Sequence, residues 1–318
     1  MTSLRQPLSF VSPIVLACLL CLGCEPPRVA FRQTPGELRI TVGGEPMATY
    51  CYADKDITRP YFAHVRAPGG IQVTRNHPPQ AGDAQDHARL HPGIWLAFGD
   101  LGGHDYWRLK ARVVGGEFVL KPEGGPRRGT FAVRNRYLTT DGGKTVCTET
   151  CRYTILVRPA GYLLICDSVF TSDTGDFYFG DQEELGLGVR LATPIAVKSR
   201  KGGRLLDSEG RRNERGIWGK QADWCDYSGT VDGHSVGIAI MPDPGNVRRS
   251  RWHARDYGFM AANPFGVKAF TGGTPSRIVV KRGQSHRLRY GVLLHGGFDD
   301  PATELRKAYE DFLTLIAK

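Results

Sequence analysis

The sequence of 318 residues lacks most features that mark membrane-embedded or metal-binding proteins. After residue 24 it has no apolar run near the ~18 residues that a membrane-spanning helix needs. Residues 25–318 contain no Cys-x-x-Cys pair and the chain has no His-Glu-x-x-His motif, which argues against a thiolate metal site and a zinc-protease site. No repeat of fixed period and no break in composition divides the chain, so we expect one domain.

Glycine, in contrast, is abundant, with 40 residues beside 20 prolines. These residues separate short β-type runs at a spacing typical of an antiparallel sandwich or barrel. Hydrophobic residues make up 41% of the chain, enough for a large core, which excludes disorder. We therefore predict an all-β fold, a large antiparallel β-sandwich over residues 37–318. The predicted strands are 37–42, 61–66, 71–74, 94–98, 117–121, 130–138, 152–158, 162–170, 235–241, 277–281 and 287–294.

A hairpin and a C-terminal helix are the clearest local features. Apolar runs at 153–157 and 162–165 flank Pro159-Ala160-Gly161, a pattern that predicts a hairpin buried on both faces. Asp300 can cap a helix, and Pro301 suits its first position. Apolar residues then recur at helical spacing up to Ile316, which predicts a C-terminal α-helix that packs on the core.

The N-terminus resembles an export signal. Arg5 precedes an apolar stretch, and Gly23-Cys24 resembles the box at which a lipoprotein signal peptidase cleaves before a lipid-bearing cysteine. We predict a signal peptide over 1–23, lipidation of Cys24 and a polar tether over 24–36. A competing box that ends at Cys18 and an ordinary cleaved signal are the alternatives. The predicted location is the cell envelope, on the periplasmic or surface face of a bacterial membrane.

The formal net charge is +10, from 42 basic and 32 acidic side chains. Such an excess suits an anionic surface or an acidic ligand, and together with a lipid it would hold the chain at a membrane. Aromatic and basic residues together could also stack nucleic-acid bases, but the export signal argues against that use. The predicted partners are therefore a glycan or small sugar and the membrane, without nucleic acid. No cofactor is predicted.

Five cysteines follow the predicted signal: Cys51, Cys147, Cys151, Cys166 and Cys225. An odd number leaves at least one free thiol in an oxidising compartment. Cys147 and Cys151 are close enough in sequence to bridge across a turn, whereas the apolar neighbours of Cys166 and Cys225 indicate burial.

The first of three polar segments, 82–107, concentrates imidazole, carboxylate and indole groups. His87 and His91 are four residues apart, a spacing that suits a metal on a helix, but a Pro-Gly pair ends any helix directly after His91. The alternatives are general acid–base catalysis, in which Asp86 orients an imidazole, and loop histidines that bond to backbone.

The second segment, 179–190, contains Asp181-Gln182-Glu183-Glu184. Crowded carboxylates repel one another unless they are solvated, paired with cations or protonated. A raised pKa on Glu183 or Glu184 would supply an acid at neutral pH, and a solvated turn is the alternative.

The third segment, 211–266, mixes aromatic rings with arginine, carboxylate and amide groups, a mixture that suits sugars through ring stacking and hydrogen bonds to hydroxyls. Within it we predict His253 as a further acid or base. The predicted sugar-binding residues of the three segments are Asp86, Trp107, Trp218, Lys220, Asp226, Tyr227, Arg255 and Asn263.

These segments resemble a family of secreted bacterial proteins labelled PmoA-like. The matching stretches are 59–62, 86–95, 180–184, 218–227, 252–258 and 263–266. The resemblance implies a β-rich protein of polysaccharide-degrading bacteria and no particular reaction. In this chain Arg89-Leu90 come directly before His91, whereas in many relatives the histidines of this block are closer together. This difference puts a carried-over role of a histidine pair in doubt. Membrane methane oxidation, which the label suggests, is excluded by the missing apolar spans.

Our first hypothesis is a cell-envelope lipoprotein that acts on carbohydrate, on a large sandwich of the galactose-mutarotase type. His87, His91 or His253 would be the general acid or base and Glu183 or Glu184 its partner, with hydrolysis, elimination and epimerisation left open. The second hypothesis is a glycan-binding lipoprotein without catalysis. The third is a metal-dependent enzyme with His87 and His91 as ligands. The first hypothesis requires that the polar segments meet at one site.

Overall fold

The computed structural model describes residues 25–317, which contain eighteen strands and three α-helices. The strands are β1 (Val29–Thr34), β2 (Glu37–Val42), β3 (Glu45–Cys51), β4 (Tyr61–Ala63), β5 (Ile94–Phe98), β6 (Val113–Gly125), β7 (Arg128–Leu138), β8 (Thr145–Arg158), β9 (Gly161–Thr171), β10 (Phe177–Phe179), β11 (Leu185–Arg190), β12 (Arg204–Asp207), β13 (Cys225–Val231), β14 (His234–Pro242), β15 (Arg251–Arg255), β16 (Phe259–Asn263), β17 (Ile278–Val280) and β18 (Ser285–Gly296). The helices are α1 (Asn213–Ile217), α2 (Lys268–Thr271) and α3 (Pro301–Ile316).

Two eight-stranded antiparallel sheets make up the sandwich. The first sheet has the order β1-β2-β3-β4-β5-β11-β16-β15, and the second has the order β12-β13-β14-β18-β9-β8-β7-β6. Strands β10 and β17 form a separate two-stranded sheet. Side chains of both large sheets interleave in one core, where the Tyr50 ring lies 5.3 Å from that of Phe131 and 5.2 Å from that of Tyr153. The predicted fold class, an all-β sandwich with a C-terminal helix, is confirmed.

The C-terminal helix α3 covers the outer face of the second sheet. Asp300 caps it by accepting a hydrogen bond from Thr303 N at 3.4 Å, as predicted. Leu305 and Phe312 of the helix are fully buried in a satellite core. Phe312 fits there because β18 carries Gly291 beneath it, where a Cβ atom would lie 2.9 Å from the ring. The β8–β9 hairpin therefore has apolar neighbours on both faces, as its sequence predicted.

Several strands within the polar segments were not predicted from the sequence. Strands β11, β15 and β16 lie in the first sheet and β13 lies in the second, although the sequence of these regions departs from strand alternation. Every residue of β11 and β16 is buried, so both faces of these strands contact protein. Period-two alternation marks a strand with one wet face, and it fails where both faces are covered.

Several local predictions were wrong. Residues 71–74, predicted as a strand, form only isolated bridges at Gln72 and Thr74. Residues 29–34, placed within the tether, form β1 because its register pairs Phe31 with Ile40 of β2 and buries Val29 completely. Cys147 and Cys151 both lie on β8, so four residues of extended chain, roughly 13 Å, separate them. A disulfide needs Cα atoms within about 7 Å, and all five described cysteines are free and buried.

The predicted signal peptide and the lipid-bearing Cys24 lie outside the described residues. Between residues 25 and 317, no helix combines the length and the apolar character needed to cross a membrane.

Two segments, 76–92 and 100–111, fold over the outer face of the first sheet and create a second, smaller core there. Trp107 from the covering segment packs with Trp95 of β5 and Phe259 of β16. Gly188 of β11 lies beneath the two indoles: a Cβ atom on it would lie 2.9 Å from Trp95 and 3.0 Å from Trp107. The polar segments are thus held against this face by buried aromatic packing.

Adding a methyl group at Gly188 tests this packing. Because both indoles are buried, we expect Gly188→Ala to lower the free energy of unfolding by about 1–3 kcal/mol, measured by chemical denaturation. Gly175→Ala is the matched control, since a Cβ atom there would meet no atom within 4 Å. Equal stability of the two variants would show that the indoles do not pack tightly on β11.

Candidate active site

Strand pairing brings His253 and Glu183 together at one end of the first sheet. His253 of β15 pairs with Ala261 of β16, and β16 pairs with β11, which begins two residues after Glu183. His253 is 5% exposed, and its Nε2 lies 3.3 Å from Glu183 Oε2. Its Nδ1 lies 3.2 Å from the backbone oxygen of the same glutamate.

The loop that carries Glu183 is held by Asn263. The Asn263 amide donates to the carbonyl oxygens of Gln182 at 2.8 Å and of Glu183 at 3.0 Å. Its Oδ1 accepts from the backbone N–H groups of Phe265 and Gly266, each at 2.8 Å. Since Asn263 is fully buried and uses its amide in this way, it positions Glu183 and does not face a ligand.

The imidazole of His253 faces two oxygen atoms, the Glu183 carbonyl and the Glu183 carboxylate. A neutral imidazole has a single N–H, so it can satisfy only one of these acceptors. Both contacts are favourable only when one further proton lies between Nε2 and Oε2. Burial, helped by nearby Arg255, lowers the pKa of His253 to about 3, which disfavours an imidazolium. Any proton shared between Nε2 and Oε2 would therefore reside on the carboxyl and not on the imidazole.

The pKa of Glu183 is shifted in the matching direction. Burial raises it, Arg255 opposes that rise, and the adjacent Glu184 adds to it. In an ordinary ion pair the carboxyl pKa falls and the imidazole pKa rises. Here both groups shift toward their neutral forms, while the Glu183 side chain stays 30% exposed to solvent.

Arg255 and Trp218 complete this arrangement. Arg255 donates to Glu183 Oε2 and to Glu214 Oε1, both at 3.0 Å, and its guanidinium lies 5.6 Å from the centre of the Trp218 ring. The Nε1–H of Trp218 is buried and has no hydrogen-bond partner in the described chain. We call Glu183, His253, Arg255, Glu214 and Trp218 the Glu183–His253 site.

Glu184 belongs to a neighbouring ion-pair cluster. Its Oε2 lies 2.6 Å from Arg108 Nη2, and Arg108 Nη1 also contacts Asp105 and Gln182 at 3.2 and 3.1 Å. The Glu184 carboxylate is engaged by Arg108 and does not contact His253. The two glutamates that the sequence left equivalent thus have different environments.

The histidines of the first polar segment form a separate stack. His87 and His91 lie face to face, with ring centres 4.7 Å apart and planes tilted by 12°. Lone pairs lie in the ring planes, so two parallel rings cannot both reach one ion at the ~2.1 Å that zinc needs. This geometry does not fit the predicted metal pair. Among residues 25–317 no group of three or more His, Cys, Asp or Glu side chains has metal-binding geometry.

His91 is a buried aromatic packing residue. Its ring stacks on Phe259 at 4.7 Å and on Trp95 at 5.0 Å, and its Nδ1 has no hydrogen-bond partner. Burial, reinforced by His87 and nearby arginines, holds the pKa of His91 well below its ordinary value. His87 is 44% exposed at its side chain and contacts Asp86 Oδ2 at 3.0 Å.

Three arginines that the sequence analysis missed hold this segment. Arg75 donates to the carbonyl oxygens of residues 84, 86, 87 and 91, and Arg59 donates to those of residues 90, 106 and 107. Arg190 binds Asp86 at 2.7 Å. Burial favours a higher pKa for Asp86, but hydrogen bonds from Arg190 and His87 outweigh it and lower the pKa to about 2. All three guanidiniums are buried, which the surface preference of arginine did not predict.

Several predicted sugar-binding residues are not available to a sugar. Trp107 is 1% exposed in the small core, and Tyr227 is fully buried, with its hydroxyl bonded to Asp256 O at 3.0 Å. Asp226 is fully buried on the far face of β13, where it contacts His295 Nε2 at 2.8 Å. Burial thus removes Trp107, Tyr227 and Asp226 from the sugar-binding candidates. Lys220 is exposed, its carbonyl oxygen accepts from Trp252 N of β15, and its contact with a sugar stays a prediction.

The polar segments meet on one face but line adjoining cavities. His87 and Arg108 line a cavity of about 440 Å³, while Arg108, Glu183 and Glu184 line the next one, of about 940 Å³. His253 lines neither cavity, but it contacts Glu183, which lines the second one. Catalytic roles for His87, His91 and Glu184 remain predictions, and the geometry favours Glu183 and His253.

An antiparallel sandwich with a polar site on the outer face of one sheet defines the class of this protein. Its family is defined by sequence: residues 37–310 match the model of a family of unknown function, DUF6807, and the chain belongs to that family. A search of curated protein sequences gives no match.

Solved structures with a similar chain course include carbohydrate-related proteins. An α-galactosidase from Lactobacillus brevis is 10% identical with a TM-score of 0.42, over 85% of this chain and 39% of that one. A galactose mutarotase-like protein from Lactobacillus casei is 12% identical with a TM-score of 0.40, over 84% of this chain and all of that one. The galactosidase domain of an α-galactosidase–sucrose kinase is 8% identical with a TM-score of 0.44, over 84% of this chain and 42% of that one. The chain thus spans about two fifths of the two galactosidase chains, and likenesses of this size transfer no activity.

The role of His91 gives a test by pH. Because its pKa in the folded protein lies below the ~6.5 of an unfolded chain, the unfolded state binds the extra proton, and His91 makes stability fall as pH drops below about 6.5. Replacing His91 by Phe keeps the stacked ring and removes the titration. We expect this variant to lower the slope of unfolding free energy against pH by about 1.4 kcal/mol per pH unit near pH 5.

The measurement is urea denaturation at a series of pH values. At pH 8, where an unfolded histidine is neutral, the variant and the parent should agree within about 1.5 kcal/mol, since the change conserves ring volume. A slope equal to that of the parent would show that His91 titrates normally.

Proposed function

We propose that the protein performs acid–base chemistry on a carbohydrate at the Glu183–His253 site. The observation that carries the proposal is the direction of the two pKa shifts, toward a protonated carboxyl and a neutral imidazole in contact. A structural ion pair produces the opposite shifts, and environments of this kind are typical of catalytic acids. Glu183 combines this state with a side chain that solvent reaches.

The geometry supports the following sequence of proton transfers. Glu183 donates its proton to an oxygen atom of the sugar, and the carboxylate left behind is stabilised by Arg255, already 3.0 Å away. The carboxylate then takes a proton back from the substrate or water, and the bare Nε2 of neutral His253 accepts a hydrogen bond from the protonated carboxyl. The pair is thereby reset with no net change of protons.

The substrate class follows from the groups around the pair. Trp218 offers a half-buried indole beside Glu183, and Arg255 and Glu214 offer planar donors and acceptors. Aromatic faces beside such groups suit the C–H faces and hydroxyls of a sugar. The overall charge of +10 does not extend to this site, where carboxylates pair with the arginines.

One observation favours a second candidate, a glycan-binding protein without catalysis. The platform formed by Trp218 and Arg255 could hold a sugar with no proton transfer. The two candidates differ in what the Glu183 proton does, so a variant that removes only that proton separates them.

Glu183→Gln keeps the shape of the side chain and removes its acid. We expect a loss of at least about 100-fold in turnover, the usual contribution of a general acid, with binding of the same sugar changed only a few-fold. Turnover is followed by proton NMR on monosaccharides, glycosides and oligosaccharides, which detects anomer exchange, bond cleavage and unsaturated products together. Binding is measured by calorimetry.

The matched control is Glu310→Gln, at an exposed glutamate on α3. It should turn over every substrate at the parental rate. If Glu183→Gln also keeps the parental rate, the catalytic proposal is overturned. If the parent binds sugars and converts none, the glycan-binding candidate takes its place.

A further inference from the structure

Four clefts follow one another across the outer face of the first sheet and past its end. The first, of about 760 Å³, is lined by Tyr178 and Arg277. The second, of about 940 Å³, contains Glu183. The third, of about 440 Å³, contains His87, and the fourth, of about 750 Å³, contains Tyr61.

Neighbouring clefts share their walls. Tyr178 lines both the first and the second, Arg108 lines both the second and the third, and Ala88 and Arg89 line both the third and the fourth. Clefts that share lining residues lie next to one another, and we call this series of four clefts the groove. The cleft that contains Glu183 has another cleft on either side.

We propose that this groove binds a chain of several neutral sugar units, so that the Glu183–His253 site acts within an oligosaccharide and not on a free monosaccharide. The inference rests on the proposed function and adds the substrate class. Its basis is the continuity of the four clefts with the proposed site, together with their length and their chemistry.

The length of the groove exceeds what one sugar needs. Between β2, at the fourth cleft, and β11, which directly follows Glu184 of the second cleft, the first sheet has four interstrand spacings. At ~4.8 Å each, they span roughly 19 Å. The first cleft extends the groove further, beside the β10–β17 sheet.

The charge of the groove selects a neutral chain over a polyanion. The second cleft is lined by five carboxyl and two cationic side chains and the fourth by three of each, whereas the first and third have two cationic side chains each, against one carboxylate and none. A sulfated or uronic-acid chain would meet repulsion at the second cleft, next to Glu183. Over the four clefts, nine carboxyl groups face seven cationic side chains, so the groove as a whole has no basic excess.

Groups suited to sugars lie on both sides of Glu183. Tyr178 is half-buried, with the guanidinium of Arg277 3.7 Å from its ring centre, which makes a flat, rigid platform. In the fourth cleft, the Nδ1 atom of His77 is buried and has no partner in the described chain, and Tyr61 bonds Asp54 at 2.6 Å. These are separate places at which further sugar units of one chain would rest.

Calorimetry with the homologous cello-, manno-, xylo- and malto-oligosaccharides, from one to six units, tests the proposal. Glu183→Gln is the host protein, because it should bind without converting the ligand. We expect the Kd of at least one series to fall at least about tenfold from one unit to six, as added units reach further clefts.

Two variants in this host probe the two arms of the groove. Tyr178→Ala and Arg89→Ala should each raise the Kd for six units at least about threefold and leave that for one unit unchanged. Arg136→Ala, at an exposed arginine on β7, is the control and should change neither. Circular dichroism and thermal unfolding confirm that all variants are folded.

The proposal is overturned if no series binds, if Kd does not change with length, or if both arm variants bind six units as the host does. Tighter binding of a heparin hexasaccharide than of every neutral one also overturns it. Turnover of monosaccharides that depends on Glu183 without any length dependence removes the groove and keeps the proposed chemistry. Length-dependent binding that needs Tyr178 and Arg89, without turnover of any ligand, keeps the groove and removes the proposed chemistry.

Discussion

The proposed activity depends on one contact, an imidazole ring held between two oxygen atoms of a single glutamate. A neutral His253 cannot donate to both the carbonyl and the carboxylate of Glu183, and burial disfavours its charged form. In the proposed mechanism, the proton that resolves this conflict lies on Glu183, whose pKa is raised by burial. The same placement makes the carboxyl an acid that solvent, and hence a ligand, can reach.

The fold keeps this contact in place with elements that have no chemical role. Pairing of β15, β16 and β11 sets the distance between the two residues, and Asn263 holds the two carbonyl groups of the Glu183 loop. On the other side of Arg255, Glu214 fixes the guanidinium and also bonds the backbone of Asp256. Tyr227, from the second sheet, holds the same turn through its hydroxyl. Replacement of a supporting residue such as Asn263 is thus expected to change the pKa of Glu183, although that residue does not contact a substrate.

Much of the fold could be predicted from sequence because its outer strands and α3 have one wet face. The β2 range and the Asp300 cap follow from alternation and capping chemistry alone. The site was predicted less well. Glu183, His253 and Arg255 were among the candidates, but sequence could not tell Glu183 from Glu184, since only the pairing of strands shows which one meets His253. Trp107 was misassigned because indoles suit both sugar platforms and cores, and only the fold of segment 100–111 decides between them.

Charge gives the second lesson. The chain is strongly basic, yet the cleft around Glu183 is lined mainly by carboxyl groups. Two buried arginines bind backbone carbonyls of the polar loops, and a third binds Asp86. Net charge therefore predicts little about this site. The ion pairs and burial around each side chain decide which groups can exchange a proton with a ligand, and Glu183 is proposed as such a group.

The most direct test is NMR of the Glu183–His253 pair itself, with labelled imidazole nitrogens and glutamate carboxyls assigned through Glu183→Gln. We expect one protonated nitrogen, Nδ1, an Nε2 that accepts a hydrogen bond, and a neutral ring down to about pH 3, with the Glu183 carboxyl titrating above the ~4.3 of a free glutamate. A doubly protonated His253 at neutral pH beside a Glu183 that titrates below that value would identify a structural ion pair and contradict the account.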